Sequence, residues 1–326
     1  MTSGNFSSER PVYWEVQSTY HSEVQVSLRP VERIVESQPT MEGAGVRLRR
    51  AFGFGDTKEY DPFLLFDDFR NDRPADYLAG FPWHPHRGIE TITYVLKGTV
   101  DHGDSLGNRG SLGAGDVQWM TAGSGILHQE MPKGDPKGLM HGFQLWANLP
   151  KRLKMTDPRY QDVQAKDIPE VTDDDGTLVR VVCGDFWGKK GPIEGVAADP
   201  RYLDVFVPPG KKKTLPVENG RHAFAYVFDG SGSFRDASQP RAVLTEGAGP
   251  EAVAKYDKTG NRSLVLFGGG DEVTVQAGDE GIRFLLVSGR PLEEPVAWYG
   301  PIVMNTNDEL RQAYSELQNG TFIKTR

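Results

Sequence analysis

The sequence predicts an all-β protein of two tandem barrels closed by a single C-terminal helix. Three observations predict it: short β-rich runs, an internal repeat, and one stretch of helical periodicity. The runs are Ile89 to Val95, Val117 to Thr121, Phe143 to Ala147, Val179 to Val182, Tyr202 to Val207, Phe224 to Phe228, Ser263 to Phe267 and Ile282 to Val287. Each is rich in Val, Ile, Leu, Phe, Tyr or Thr and is bounded by Gly, Pro, Asp or Asn. That is the pattern of short strands joined by turns in a sandwich or barrel.

The repeat divides these strands into two copies. Tyr94-Val95-Leu96-Lys97-Gly98 returns as Tyr226-Val227-Phe228-Asp229-Gly230, and Leu112 to Val117 returns as Phe267 to Val273. A chain of 326 residues is long enough for two domains, each with its own core. The expected organisation is an N-terminal extension (1–29), a first barrel that binds metal (30–150), a linker rich in Asp, Lys and Pro (151–176), and a second barrel lacking metal ligands (177–326). An insert from Arg235 to Arg262, polar and rich in Gly, Ala and Pro, reads as an extended loop of the second copy. The helix is expected over about 307–319. Thr306 or Asn307 can cap it, Leu310, Ala313, Tyr314 and Leu317 form one stripe, and Gly320 stops it. The stripe is expected to pack on a barrel wall.

Composition narrows the function classes. Lys and Arg total 37 against 45 Asp and Glu, a formal net charge of -8. Such a surface repels phosphate backbones and anionic lipid, so neither nucleic acid nor a membrane is an expected direct partner. The cationic exceptions are Arg47, Arg49 and Arg50, and the run Lys211 to Lys213, read as a solvated loop tip. Cys183 is the single cysteine, which excludes an intramolecular disulfide and fits a reducing compartment. The first twenty residues lack a secretory pattern, and no apolar run of about 18 residues is present. A monomer in the cytoplasm is the expectation, or in the nucleus if the source is eukaryotic.

The chemistry concentrates in two pairs. His84 and His86 stand two apart at the entry to a predicted strand, and His128 and Glu130 repeat that spacing later. Residues i and i+2 of a strand face the same side, so each pair can present two ligands together. Two pairs meeting across a barrel interior would give three imidazoles and a carboxylate around one divalent transition metal, with positions left open. The spacing alone leaves Mn, Fe, Co, Ni, Cu and Zn as candidates. It also leaves Glu90 as a competitor to Glu130, because it shares the strand parity of His84 and His86. Gly88 between them reads as a bulge or as space for a bound molecule. His102 and His141 read as surface or supporting residues. Transposing the ligand positions through the repeat lands on Pro216, Glu218, His222, Arg283 and Leu285, which cannot rebuild the site.

The segments HPHRGIETITYVLKG, GDVQWMTAGSGILHQEMP, DPFLLFDDF and GPIVMNTNDEL closely resemble the pirin family, from about Val46 to the C-terminus. The resemblance implies two cupin barrels (double-stranded β-helix, or jelly roll). It implies iron, as Fe(II), held in the first through His84, His86, His128 and Glu130, and so favours Glu130 over Glu90. It also implies one of two functions. Several pirins resemble quercetinases, which open the central ring of a flavonol with O₂; the substrate would be a flavonol or another enolisable phenol. There Glu130 would act as the catalytic base, taking the proton of a metal-bound hydroxyl. Others act as redox- or metal-responsive regulators of a transcription factor or other protein partner.

Overall fold

The computed structural model describes Met1 and residues 26–234 and 258–324. Most of the 1–29 extension, His21 and most of the 235–262 insert therefore lie outside the described residues. Within them all eight predicted runs fall in strands. The first half contains β1 (Val31–Glu36), β2 (Gln38–Glu42), β3 (Val46–Phe52), β4 (Phe63–Asp68), β5 (Phe81–His86), β6 (Ile89–Lys97), β7 (Thr99–Asp104), β8 (Arg109–Leu112), β9 (Val117–Thr121), β10 (Ile126–Lys133) and β11 (His141–Asn148). Next come β12 (Arg159–Val163), β13 (Glu170–Thr172), β14 (Leu178–Cys183), and the two-residue strands β15 (Asp185–Phe186) and β16 (Lys189–Lys190). The second half continues with β17 (Arg201–Val207), β18 (Lys212–Pro216), β19 (His222–Ser233), β20 (Thr259–Gly260), β21 (Ser263–Phe267), β22 (Glu272–Gly289), β23 (Ala297–Tyr299) and β24 (Ile302–Met304). The helix α1 (Asn307–Gln318) follows.

Two large antiparallel sheets have the same plan. One runs β12-β9-β6-β11-β4-β3-β2 and the other β1-β21-β19-β22-β17-β14-β13. Matched position by position, each borrows its first strand: β1, which leads into the first barrel, pairs with β21 of the second, and β12, which leads into the second, pairs with β9 of the first. The expected boundaries cut across this exchange. Val31–Glu36 lies in the second sheet, and the 151–176 segment holds a strand of each. These strands pair through the backbone, covering edges that would otherwise be open, and their apolar residues Val31, Ile34, Val163 and Val171 pack on the cores.

The first barrel is completed by a separate sheet, β5-β10-β7-β8. In the second, β19 and β22 instead run continuously around the corner, with β18 alongside β22. The glycine of the first repeat motif marks that corner in both copies. Gly98 and Gly230 have φ of +78° and +64°, and a Cβ would stand 2.5 Å from the Lys133 carbonyl and 2.2 Å from that of Gly281 respectively.

The second repeat motif is out of step. Leu112 to Val117 leads into β9, whereas Phe267 to Val273 joins β21 to β22. Since β21 occupies the place of β9, the resemblance between these two glycine turns is local turn chemistry.

The two large sheets pack face to face. Phe66, Trp119 and Phe143 meet Tyr202, Phe224 and Leu285 in one buried cluster. The repeat tyrosines sit here: Tyr94 donates to Asp204 Oδ2 of the other barrel at 2.7 Å, and Tyr226 donates to Asp68 Oδ2 at 2.9 Å. Arg283 and Arg70 hold those carboxylates. Buried hydroxyls need such partners, and each barrel supplies the other's. Cys183 lies in the same cluster, where burial pushes its thiol up to about 12.

Thr306 caps α1 in a reciprocal box with Glu309, at 3.2 Å and 2.9 Å. Its apolar stripe packs on the β23–β24 hairpin and Phe322 rather than on a barrel wall, because that hairpin lies between. Arg87 ties the assembly to the first barrel, donating to Ser124 O, Glu316 Oε2 and Phe322 O. No helix among the described residues is long and apolar enough to cross a membrane.

Candidate metal centre

β5 reads Phe-Pro-Trp-His-Pro-His, and its two prolines suit it to a sheet edge, where among the described residues it pairs only with β10. Alternation then decides the facing. In β10, Ile126, His128 and Glu130 are buried while Leu127, Gln129 and Met131 are only partly so. The register sets His128 directly opposite His84. The imidazole ligand atoms of His84, His86 and His128 all lie within 4.8 Å of one another. The two histidine positions of the first motif and that of the second are thus brought together.

The hydrogen bonds fix what these rings offer. His84 Nδ1 lies 2.8 Å from the Pro82 carbonyl and His86 Nδ1 lies 3.2 Å from the Pro301 carbonyl. A carbonyl only accepts, so each Nδ1 carries the hydrogen and each Nε2 presents a lone pair. The two Nε2 atoms are 3.1 Å apart. Two lone pairs at that distance need a shared proton or a cation between them. His128 is buried with neither ring nitrogen hydrogen-bonded, a costly state for a polar ring unless something else binds it. Burial lowers the pKa of all three, well below the ordinary value for His86 and His128. They are neutral donors at neutral pH, which suits a divalent ion.

Glu130 takes a different position. It is buried, accepts from Thr93 Oγ1 at 2.9 Å, and lies outside the three-imidazole set. Burial pushes its carboxyl up to about 7. Glu90 is not at the centre at all: Trp119 Nε1 and Thr121 Oγ1 donate to it at 3.1 Å and 2.8 Å on the inter-barrel face. Strand parity fails between His86 and Glu90 because the chain turns at Arg87–Gly88 from one sheet to another. Gly88 has φ of +77°, and a Cβ there would stand 1.9 Å from the Val303 carbonyl. The glycine therefore admits the C-terminal hairpin, not a ligand. Lys154, itself buried, pins the junction by donating to Gly88 O, Asn148 Oδ1 and Val303 O.

The remaining histidines stand elsewhere. His102 stacks on Tyr160 and approaches Asp162, and His141 packs on Phe143 and Phe228. His222 lies at the far end of the second barrel's sheet, on β19. Arg49 and Arg50 pair with Glu36 and Asp67, and Lys213 with Asp173, so the cationic runs are largely neutralised. Lys212 and Lys213 belong to β18 rather than to a loop tip.

The centre opens into a cavity of about 600 Å³. His84, His86, Thr93 and Glu130 share its lining with Trp83, Trp146 and Trp298. Trp298 and Pro301 come from the hairpin near the C-terminus, so residues far apart in sequence complete one wall. Sequence reasoning missed Thr93 and the Pro301 carbonyl. The first is legible only as an inward position of β6, and a backbone carbonyl leaves no sequence signal.

Among its described residues the second barrel contains no such set. On its matching strands Leu215 lies opposite Val273, as His84 lies opposite His128. Leu215, Val217, Val273 and Val275 are all buried in an apolar cluster. The transposed positions taken from the sequence were displaced by the out-of-step motif, which put Arg283 and Leu285 on the inter-barrel stretch of β22.

Two cupin barrels packed on their large sheets, with a three-histidine cluster in the first, define a bicupin. The family comparisons agree: the pirin model matches residues 45–147, and the pirin C-terminal cupin domain model matches residues 202–323. A pirin-like protein of Caulobacter vibrioides is 44% identical over 90% of this chain and 99% of its own length. Human pirin is 39% identical over 90% of this chain and 93% of its own. A solved structure of quercetin 2,3-dioxygenase from Acinetobacter baumannii superimposes with a TM-score of 0.78 at 31% identity, covering 91% of this chain and 99% of that one. The chain belongs to the pirin family.

Proposed function

We propose that this chain is a metal-dependent dioxygenase that opens the central ring of flavonols such as quercetin. His84, His86 and His128 hold one divalent transition ion, Fe(II) on the family resemblance, and Glu130 serves as base and reserve ligand. The observation that carries the metal is the pair of Nε2 lone pairs 3.1 Å apart beside an unpartnered His128. The similarity to the Acinetobacter dioxygenase supports the reaction.

A bound divalent ion supplies Lewis acidity, lowering the pKa of a hydroxyl placed against it. The protein's own groups do the rest. Pro82 and Pro301 carbonyls hold two imidazoles in the ligating tautomer. Glu130, with its carboxyl near 7, is poised to accept the proton of the flavonol 3-hydroxyl. Thr93 steadies the carboxylate on its far side. The tryptophans in the cavity lining favour a flat aromatic substrate.

A regulatory binding role is the competing reading. The enzymatic one is favoured because the centre opens into a cavity of about 600 Å³ with three tryptophans in its lining. The test is to load the protein anaerobically with Fe(II), add quercetin, then admit O₂. Loss of flavonol absorbance with release of carbon monoxide is expected. Stable quercetin alongside oxidation-dependent capture of a regulator would overturn the reading in favour of the other.

A further inference from the structure

The inward face of the first barrel's large sheet carries a polar row in an otherwise aromatic cavity. Thr93 on β6 lies opposite Gln144 on β11, Gln144 opposite Asp67 on β4, and Asp67 opposite Arg50 on β3. All four line the cavity that holds the histidines. Neighbouring strands are about 4.8 Å apart, so three steps carry the row about 14 Å from the metal end. At its near end Thr93 Oγ1 is 2.9 Å from Glu130 and 2.7 Å from Gln144 Oε1.

The far end is built around one cation and two carboxylates. Arg50 donates to Asp67 through Nε at 2.8 Å and through an Nη at 2.7 Å, while its other Nη lies 2.9 Å from Glu42. Each guanidinium nitrogen thus faces a carboxylate, and carboxylates outnumber the cation two to one at this end. Asp67 is 4% exposed, and burial pushes its carboxyl up to about 6 despite the arginine. A carboxylate in this setting gains from a hydroxyl donor and repels an anion. The walls between are aromatic: Trp146 stands 5.0 Å from the His86 ring and 6.0 Å from Trp298, which is 5.2 Å from Phe54.

Resting on the flavonol reading above, we infer that Asp67, held by Arg50, is a specificity-determining residue that accepts a hydroxyl from the substrate ring remote from the metal. The substrate class is then a neutral, planar, multi-ring phenol with hydroxyls at both ends, and carboxylated or phosphorylated analogues are rejected.

The experiment measures dissociation constants anaerobically, by tryptophan quenching of metal-loaded protein, for quercetin and for 3-hydroxyflavone, which lacks the outer-ring hydroxyls. Wild type is expected to prefer quercetin. Asp67→Asn should weaken quercetin by about tenfold and leave 3-hydroxyflavone nearly unchanged, the loss of one charge-assisted hydrogen bond. Glu42→Gln, at a partly exposed position, should reduce the preference by a smaller factor and serves as the test if Asp67→Asn does not fold. Equal weakening of both ligands would make the pair structural and overturn the inference, as would no weakening, or a wild type that binds neither ligand. Asp67-dependent quercetin binding with no ring opening on admitting O₂ would leave the inference standing and remove the dioxygenase reading.

Discussion

The two barrels share a strand order and differ in what the same strands carry inward. On β5 and β10 the inner positions are His84, His86, His128 and Glu130; on β18, its following residue and β22 they are Leu215, Val217, Val273 and Val275. The second interior is a packed apolar core. The first gives up that packing for three imidazoles and a carboxylate, groups that are costly to bury unless they bind something. The difference teaches that one strand plan can hold an apolar core in one barrel and a candidate metal centre in the other, with a shared interface joining the two.

The comparison can be broken most forcefully in the second barrel. Leu215→Ala removes a fully buried side chain and should cost about 2–5 kcal/mol of unfolding stability, read by denaturant titration. Metal content of the folded variant should not change. Loss of metal together with stability would mean that this separation of core and centre is wrong.

A second effect, up to about 3 kcal/mol, concerns Glu130 in metal-free protein. Its folded pKa is raised, from near 4.5 to about 7, so the protonated form is favoured by folding. The stability it contributes is fully present below about 4.5 and is lost as pH rises through about 7. The wild type should therefore lose stability relative to Glu130→Gln over that window, measured by melts of both proteins side by side. The three histidines have lowered pKa values and act in the opposite sense, but they are common to both proteins and cancel in the difference.

The smallest effect tests the coupling. Tyr94→Phe and Tyr226→Phe each delete one hydroxyl donated to the other barrel, at a cost of about 1–2 kcal/mol. Similar losses are expected for the two, since the bonds are reciprocal. A large loss for one alone would show that the exchange is not symmetric in energy.

Much of this was legible in the sequence because alternation is a local signal. The His-x-His and His-x-Glu pairs each lie within one strand, so their common facing could be read directly. Glu90 misled because parity does not survive a turn, and the turn at Gly88 moves the chain between sheets. The exchange of β1 and β12 was invisible for another reason. Strands such as Val31–Glu36 and Arg159–Val163 mix charged and apolar residues, and which sheet they join is set by backbone bonds that composition does not record. The Gly-Asp motif deceived in turn, since the same turn chemistry serves unrelated hairpins. Asp67 and Arg50 stand 17 positions apart, and only the register of β3 with β4 sets them side by side.

The central claim is that His84, His86 and His128 grip a single ion. Its most direct test is metal analysis of the protein after loading with Fe(II) and desalting under anaerobic conditions. One equivalent per chain is expected in the wild type, and almost none in His84→Ala, His86→Ala or His128→Ala. A wild type that retains no ion, or a His128→Ala protein that keeps a full equivalent, would contradict the account.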